Sequence, residues 1–247
     1  MQPGIIYEDE YLMAVAKPAG MMVHSDGRSD EYTLADWISE NRPEVVGVGE
    51  NMEIDGKEIK RPGIVHRLDR DTTGVVVIAK NQETFLFLKR QFKGHKIKKR
   101  YEAIVWGHVA RDFGIIDAPI GRSKSDFRQW SASRGARGEK RDAKTRFQVI
   151  KRFVYDDEDG EREKYTHIAL YPLSGRTHQL RVHMKFINHP IIGDKLYGAG
   201  KKTAFDFDRP ALHAKELTIT HPKKGETKFL APYPKDLEEA LAAIANS

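Results

Sequence analysis

The amino-acid sequence predicts an α+β fold, a mixed and largely antiparallel sheet flanked by helices and loops. Three observations predict it. Short strand-like runs recur along the chain between turn signals. Several consecutive runs are separated by only a few polar residues, the spacing of hairpins. A smaller set of segments carries apolar residues at helical spacing behind cap-forming residues.

Gly4 to Glu8 and Tyr11 to Lys17 read as a hairpin turned at Glu8-Asp9-Glu10, and Pro18-Ala19-Gly20 then breaks the chain. Thr33 caps a short helix, Leu34 to Asn41, which Pro43 follows. Residues 44–62 read as a loop with a small hairpin turned at Asp55-Gly56. Gly74 to Ala79 is a Val- and Ile-rich run suited to a buried strand. Asn81 caps a helix from Gln82 to Lys93, whose Phe85, Leu88 and Phe92 repeat at helical spacing.

Lys99 to Trp106 is strand-like. Phe147 to Tyr155 and Lys164 to Tyr171 form a hairpin across the acidic turn Asp156 to Gly160. Ser174 and Thr177 precede a helix from Gln179 to Ile187, which Asn188-His189-Pro190 ends. Leu212 to Thr220 and Glu226 to Ala231 form a further hairpin turned at Lys224-Gly225, and Asp236 to Ala245 closes as an amphipathic helix. No repeat or Gly/Ser linker splits the 247 residues, so a single domain, 1–247, is expected.

Composition narrows the function classes. Without cysteine there is no disulfide framework and no thiolate metal site. No apolar run reaches the ~18 residues of a membrane helix. Met1 to Asp9 lacks the basic start and apolar stretch of a signal peptide, so the default expectation is a cytoplasmic protein. Lys and Arg total 42 against 36 Asp and Glu, and the excess is local. Lys89 to Arg100 is dense in cations, and Arg122 to Arg146 holds nine more, with Phe127 and Trp130 between them. Basic stretches interleaved with aromatics are a footprint of RNA binding, although two solvated loops would look the same.

Three segments concentrate chemistry. Gly63 to Gly74 gathers His66, Arg67, Asp69, Arg70, Asp71, Thr72 and Thr73 just before an apolar strand. Neighbouring cations favour the charged form of a carboxylate, which in a closed site serves as nucleophile or base. A loop pinned by ordinary ion pairs is the alternative. Gly175 to His183 carries Arg176, His178, Arg181 and His183. The two histidines lie five apart with no Glu between them, which fits phosphate binding or pairing with a carboxylate better than a metal site. Lys99-Arg100-Tyr101 places a strand tyrosine after a basic run, where it stacks on a base or joins the core.

Taken together, His66-Arg67-Leu68-Asp69, then Lys99-Arg100-Tyr101-Glu102-Ala103, then Gly175 to His183 closely resemble the RluA family of pseudouridine synthases. Lys17 to His24, Asp117 to Arg122, His189 to Asp194, Leu212-His213-Ala214 and His221-Pro222 match further family motifs, so the likeness runs from about Ile5 to Pro234. It implies the pseudouridine synthase fold with a bent central sheet. It also implies a role for each matched residue: Asp69 as catalytic aspartate, Arg181 as the arginine paired with it, and Tyr101 against the target base. Arg67 would fill the space of a flipped nucleotide, and Leu180 would wall the base pocket. His66, Arg176 and His178 would contact RNA or support the site.

Many members carry an N-terminal S4-type module, which is not expected here. The implied reaction isomerises uridine in rRNA or tRNA with no cofactor and no metal. The expected partner is RNA alone, with no membrane or protein partner and a monomeric state. Two rivals stand beside this reading. One is a non-catalytic RNA-binding or ribosome-assembly protein on the same fold. The other is a glycosidase using Asp69 and Asp71 as a carboxylate pair.

Overall fold

In the computed structural model, the described residues form fourteen strands, in chain order β1 Gly4–Glu8, β2 Leu12–Lys17, β3 Met52–Ile54, β4 Lys57–Ile59, β5 Thr73–Ala79, β6 Lys98–Trp106, β7 Phe113–Asp117, β8 Ile120–Arg122, β9 Trp130–Ser131, β10 Arg137–Arg141, β11 Lys144–Asp156, β12 Arg162–Pro172, β13 Leu212–His221 and β14 Gly225–Leu230. The α-helices are α1 Leu34–Asn41, α2 Gln82–Lys93, α3 Gln179–Phe186 and α4 Lys235–Ala245. The structure describes residues 2–124, 126, 128–133, 136–156, 162–198 and 205–245. Phe127 and the acidic turn at 157–161 lie outside them. The chain divides into two compact units: Met1–Lys99 with Ala214–Pro232, and Arg100–His213 with Tyr233–Ser247.

In the first unit, Asp9 makes the β1–β2 turn by accepting the backbone N–H groups of Tyr11 and Leu12 at 2.9 and 3.1 Å. The strands order as β1–β2–β5–β13, with β14 on β13. Strand β5 is buried at all seven positions, as its unbroken Val/Ile run requires. Helix α1 begins in a capping box, in which Thr33 Oγ1 accepts the Asp36 N–H and Asp36 accepts the Thr33 N–H. Asn81 caps α2 at Thr84 N–H, and the helix buries Phe85 and Leu88 against Leu12, Val75, Val77, Leu217 and Phe229. Each such side chain contributes ~1.5–3 kcal/mol by leaving water. The β3–β4 turn takes the expected form, with positive φ at both Asp55 (49°) and Gly56 (78°).

In the second unit, β6, β12, β11 and β7 pair in that order, all antiparallel. A small sheet, β10–β8–β9, stands apart from them. Leu180 and Met184 of α3 and Leu237 and Ile244 of α4 share one core with Ile104 and Ile168 of the strands. Sequence periodicity assigns no strand between Trp106 and Phe147, yet β7 to β10 lie there. These strands have two to five residues each, and β7 is an edge strand. Phe113 and Ile115 of β7 point outward at 77% and 61% exposure, so no buried alternation marks them.

Helix α3 starts at Gln179, where the sequence places it. Neither Ser174 nor Thr177 is its N-cap. That position is His178, in the left-handed region at φ 55° with no side-chain cap. The Ser174 hydroxyl instead donates to Gln179 Oε1 at 2.7 Å, and the Arg176 N–H donates to the same oxygen at 3.0 Å. The Gln179 side chain thus gathers the preceding turn.

Candidate active site

The Asp69 loop is fixed at both ends by glycines. Gly63 (φ 64°) lies so close to the β5 end that a Cβ there would sit 2.1 Å from the Ala79 carbonyl oxygen. Gly74 (φ 122°) packs on β13, where a Cβ would meet the Ala214 carbonyl oxygen at 2.3 Å. Any larger residue must displace backbone at either place. Between them Leu68 is buried, Thr72 N–H closes a turn onto the Asp69 carbonyl at 3.1 Å, and Thr72 and Thr73 are buried. Asp69 is half-buried, while Arg67, Arg70 and Asp71 are exposed.

Two further contacts hold this loop. Lys17, at the end of β2, is 1% exposed, and its Nζ donates to the carbonyls of Pro18, Met21 and Arg70, each at 2.8 Å. One buried ammonium therefore ties the Pro18–Met21 turn to the residue after Asp69. His66 stacks on Phe92 of α2 with centroids 4.6 Å apart, and its Nε2 accepts the Val77 N–H at 2.9 Å. Burial, helped by the Lys99 cation, lowers the His66 pKa to about 3, so the ring is neutral and takes a supporting place rather than a cationic one. Arg70 reaches outward to Glu31 at 2.8 Å.

In the second unit, Tyr101 lies on β6 opposite Leu170 of β12, half-buried against the core. The next residue, Glu102, is buried and accepts from His167 (2.8 Å), Tyr233 (2.7 Å) and Arg100 (2.6 Å). Burial pushes its pKa up, but these donors outweigh that and bring it to about 2. On α3, Leu180 and Arg181 are both buried. Arg181 grips Asp194 with a two-point fork, Nε to Oδ2 at 2.6 Å and Nη2 to Oδ1 at 2.8 Å. The Tyr197 ring lies 4.9 Å from its guanidinium carbon. His178 Nδ1 lies 2.9 Å from the Tyr197 hydroxyl, which also accepts the Trp130 N–H. Arg176 is exposed and donates to the Asp142 carbonyl at 3.1 Å. His183 is fully buried between Thr145 (2.8 Å) and the Ala118 carbonyl (3.0 Å), a core position.

Thus His66, Arg67 and Asp69 share one loop of the first unit. Leu180, Arg181 and His178 share one helix start in the second, with Tyr101 on its own strand there. The Lys89–Arg100 cations are partly committed within the protein: Lys89 to Glu50, Lys98 to Glu226, Arg100 to Glu102, and Lys99 over the Phe92 ring. Arg122 stacks on Trp130 at 4.2 Å. Among the described residues no group of three or more His, Asp or Glu side chains converges to hold a metal ion. Sequence reasoning gave Lys17, Asp194 and Tyr197 no role. The only signal for Lys17 and Asp194 was their place in matched motifs, since a buried charge becomes visible only when its acceptors are seen around it.

Similarity to known proteins covers nearly the whole chain. A family profile described as RNA pseudouridylate synthase matches residues 11–186. The chain is 37% identical to a Bacillus subtilis protein named uncharacterized RNA pseudouridine synthase YlyB, over 98% of the chain and 72% of that relative. It is 34% identical to the ribosomal large subunit pseudouridine synthase D of Nitrosomonas europaea, over 98% of the chain and 65% of that relative. Among solved structures, human RNA pseudouridylate synthase domain containing 1 superposes with a TM-score of 0.71 at 23% identity, covering 100% of this chain and 96% of that one. The likeness to it is one of fold.

Proposed function

The chain belongs to the RNA pseudouridylate synthase family, isomerases of uridine in RNA, and on that premise we propose that Asp69 is the carboxylate through which it exchanges the uracil N1–C1′ bond for a C5–C1′ bond. The observation that carries this reading is the fixing of the Asp69 loop by Gly63, Lys17 and Gly74. A nucleophile works best when its position is set before substrate arrives. The uridine leaves its stack to reach the site, at a cost on the order of a few kcal/mol that backbone contacts offset. Asp69 then attacks C1′, attacks C6, or removes a ribose proton. Each route starts from an ionised carboxylate sheltered from water, and none changes oxidation state.

Arg181 orients the nucleophile, Tyr101 packs against the base and takes part in the late proton removal, and Leu180 walls the base. Arg67 fills the vacated stack. Arg176 and His178 contact RNA, and His66 supports the loop. The substrate class is rRNA or tRNA, and the relatives named for the large ribosomal subunit make rRNA the first target to map. Tritium release from 5-labelled uridine RNA tests the assignment. Wild-type protein releases label and Asp69→Asn does not. A wild-type protein that binds RNA without release would instead be a non-catalytic RNA-binding protein.

A further inference from the structure

Arg181 is a cation almost withdrawn from water, with its side chain 10% exposed. An arginine so buried needs compensating charge, and Asp194, whose side chain is fully buried, supplies it in a two-point fork. The carboxylate is set in place by backbone before it meets the guanidinium. Its Oδ1 accepts the N–H groups of Leu196 and Tyr197, both at 3.0 Å, as well as Arg181 Nη2. Its Oδ2 accepts Arg181 Nε.

The turn that carries Asp194 is itself closely packed. Gly193 has φ 71°, and a Cβ there would sit 2.1 Å from the Arg209 carbonyl oxygen. Gly198 N–H closes onto the Asp194 carbonyl at 2.7 Å. The Tyr197 ring from the same turn supports the guanidinium. With four donors on its two oxygens, Asp194 is arranged to hold the guanidinium in one place. A fork engages two of the five guanidinium N–H donors and fixes the plane, and with it the direction, of the others.

We propose that Asp194 is the positioning residue for Arg181: it neutralises the guanidinium and fixes its plane, so that Arg181 acts as an oriented hydrogen-bond donor rather than as a free counter-ion. The proposal rests on the assignment of Arg181 to the reaction given above. It separates orientation from charge. A lysine at 181 keeps the charge but cannot make the fork. An asparagine at 194 turns an amide toward the guanidinium and releases it. A second fork in the same unit, buried Arg209 with half-buried Asp236 (both contacts 2.8 Å), serves as a control because it has no part in α3.

The test combines single-turnover tritium release, RNA affinity and the exchange protection of the Arg181 Nε–H in 15N-arginine NMR spectra. Asp194→Asn is expected to slow turnover on the order of 10²-fold with RNA affinity unchanged, and to strip the Arg181 resonance of its protection. Arg181→Lys should be as slow as Arg181→Met. Asp194→Asn combined with Arg181→Met should be no slower than Arg181→Met alone. Asp236→Asn should keep both rate and resonance. Three results would each overturn the proposal: a protected Arg181 resonance in Asp194→Asn, near-wild-type turnover in Arg181→Lys, or losses that multiply in the double variant. Arg181→Lys leaves the Asp194 backbone contacts in place, so it decides the matter even if Asp194→Asn does not fold. An inactive wild type, or an active Asp69→Asn, would instead refute the assigned reaction, and the NMR readout would still judge the positioning claim.

Discussion

Asp69→Asn changes one oxygen to an amide on a half-buried side chain, so its expected effect is specific: product is lost while the urea midpoint and RNA affinity stay near wild type. Retained pseudouridine in RNA treated with this variant, read by mapping, would end the assignment. Lys17→Met tests a different kind of residue. It removes the donor shared by the Pro18, Met21 and Arg70 carbonyls. Leaving the buried Met21 carbonyl unmatched costs about 1–3 kcal/mol, and less where water can reach the others. The expected outcome is a lower urea midpoint together with slower tritium release, because the same ammonium braces the residue after Asp69. Stability lost with no change in rate would show that the brace does not reach the nucleophile. The two residues were unequally legible in the sequence. Asp69 sits in a run of titratable side chains that no ordinary strand would carry, and its motif is ordered with two others. Lys17 ends an apolar strand and looks like a solvated terminus, and Asp194 looks like any loop acid. What makes each one matter is a set of partners up to 53 residues away in the chain.

Local signals set most elements. The Thr33–Asp36 capping box, the Asn81 cap and the Asp55-Gly56 turn each fix an end from neighbouring residues alone, so α1, α2 and the β3–β4 hairpin fall where their sequence places them. Strands β7 to β10 depend on what packs beside them, and there the local pattern is silent; α3 starts at Gln179 as its sequence places it, but its cap is not a local one. Ser174 and Thr177 are good cap residues, but Gln179 captures the Ser174 hydroxyl and the Arg176 N–H. Two glycines, one in the Pro18–Met21 turn and one at the start of the Asp69 loop, make the same point testable. Gly20 and Gly63 both have positive φ, 77° and 64°. A Cβ meets nothing within 4 Å at Gly20 but collides with backbone at Gly63. Gly20→Ala therefore carries only conformational strain, about 1–2 kcal/mol. Gly63→Ala adds displacement of the β5 end, and its urea midpoint should fall well below that of Gly20→Ala. Equal midpoints would mean that the loop can back away from β5.

Across the whole molecule, buried histidines set how stability responds to acid. Burial lowers the pKa of His24, His66 and His183, that of His66 to about 3. An unfolded chain protonates such rings near pH ~6.5, whereas the folded protein resists protonation until lower pH. Between those limits the unfolded state binds more protons, so stability is fully present above ~6.5 and declines as pH falls. The paired carboxylates act in a lower window. Arg42 and Lys80 bring the Glu8 pKa to about 2, and Glu102 lies near the same value, so their contribution is lost only below the ordinary glutamate range. Urea midpoints should therefore begin to drop between pH about 7 and about 5, above the window in which Glu8 and Glu102 act. His66→Gln isolates one ring, since its carbonyl can still accept the Val77 N–H while carrying no titrating group. This variant should lose less stability than wild type over that interval. Parallel pH profiles for the two proteins would mean that His66 takes up its proton in the folded state as readily as in the unfolded one, and that Phe92 does not keep water from its ring.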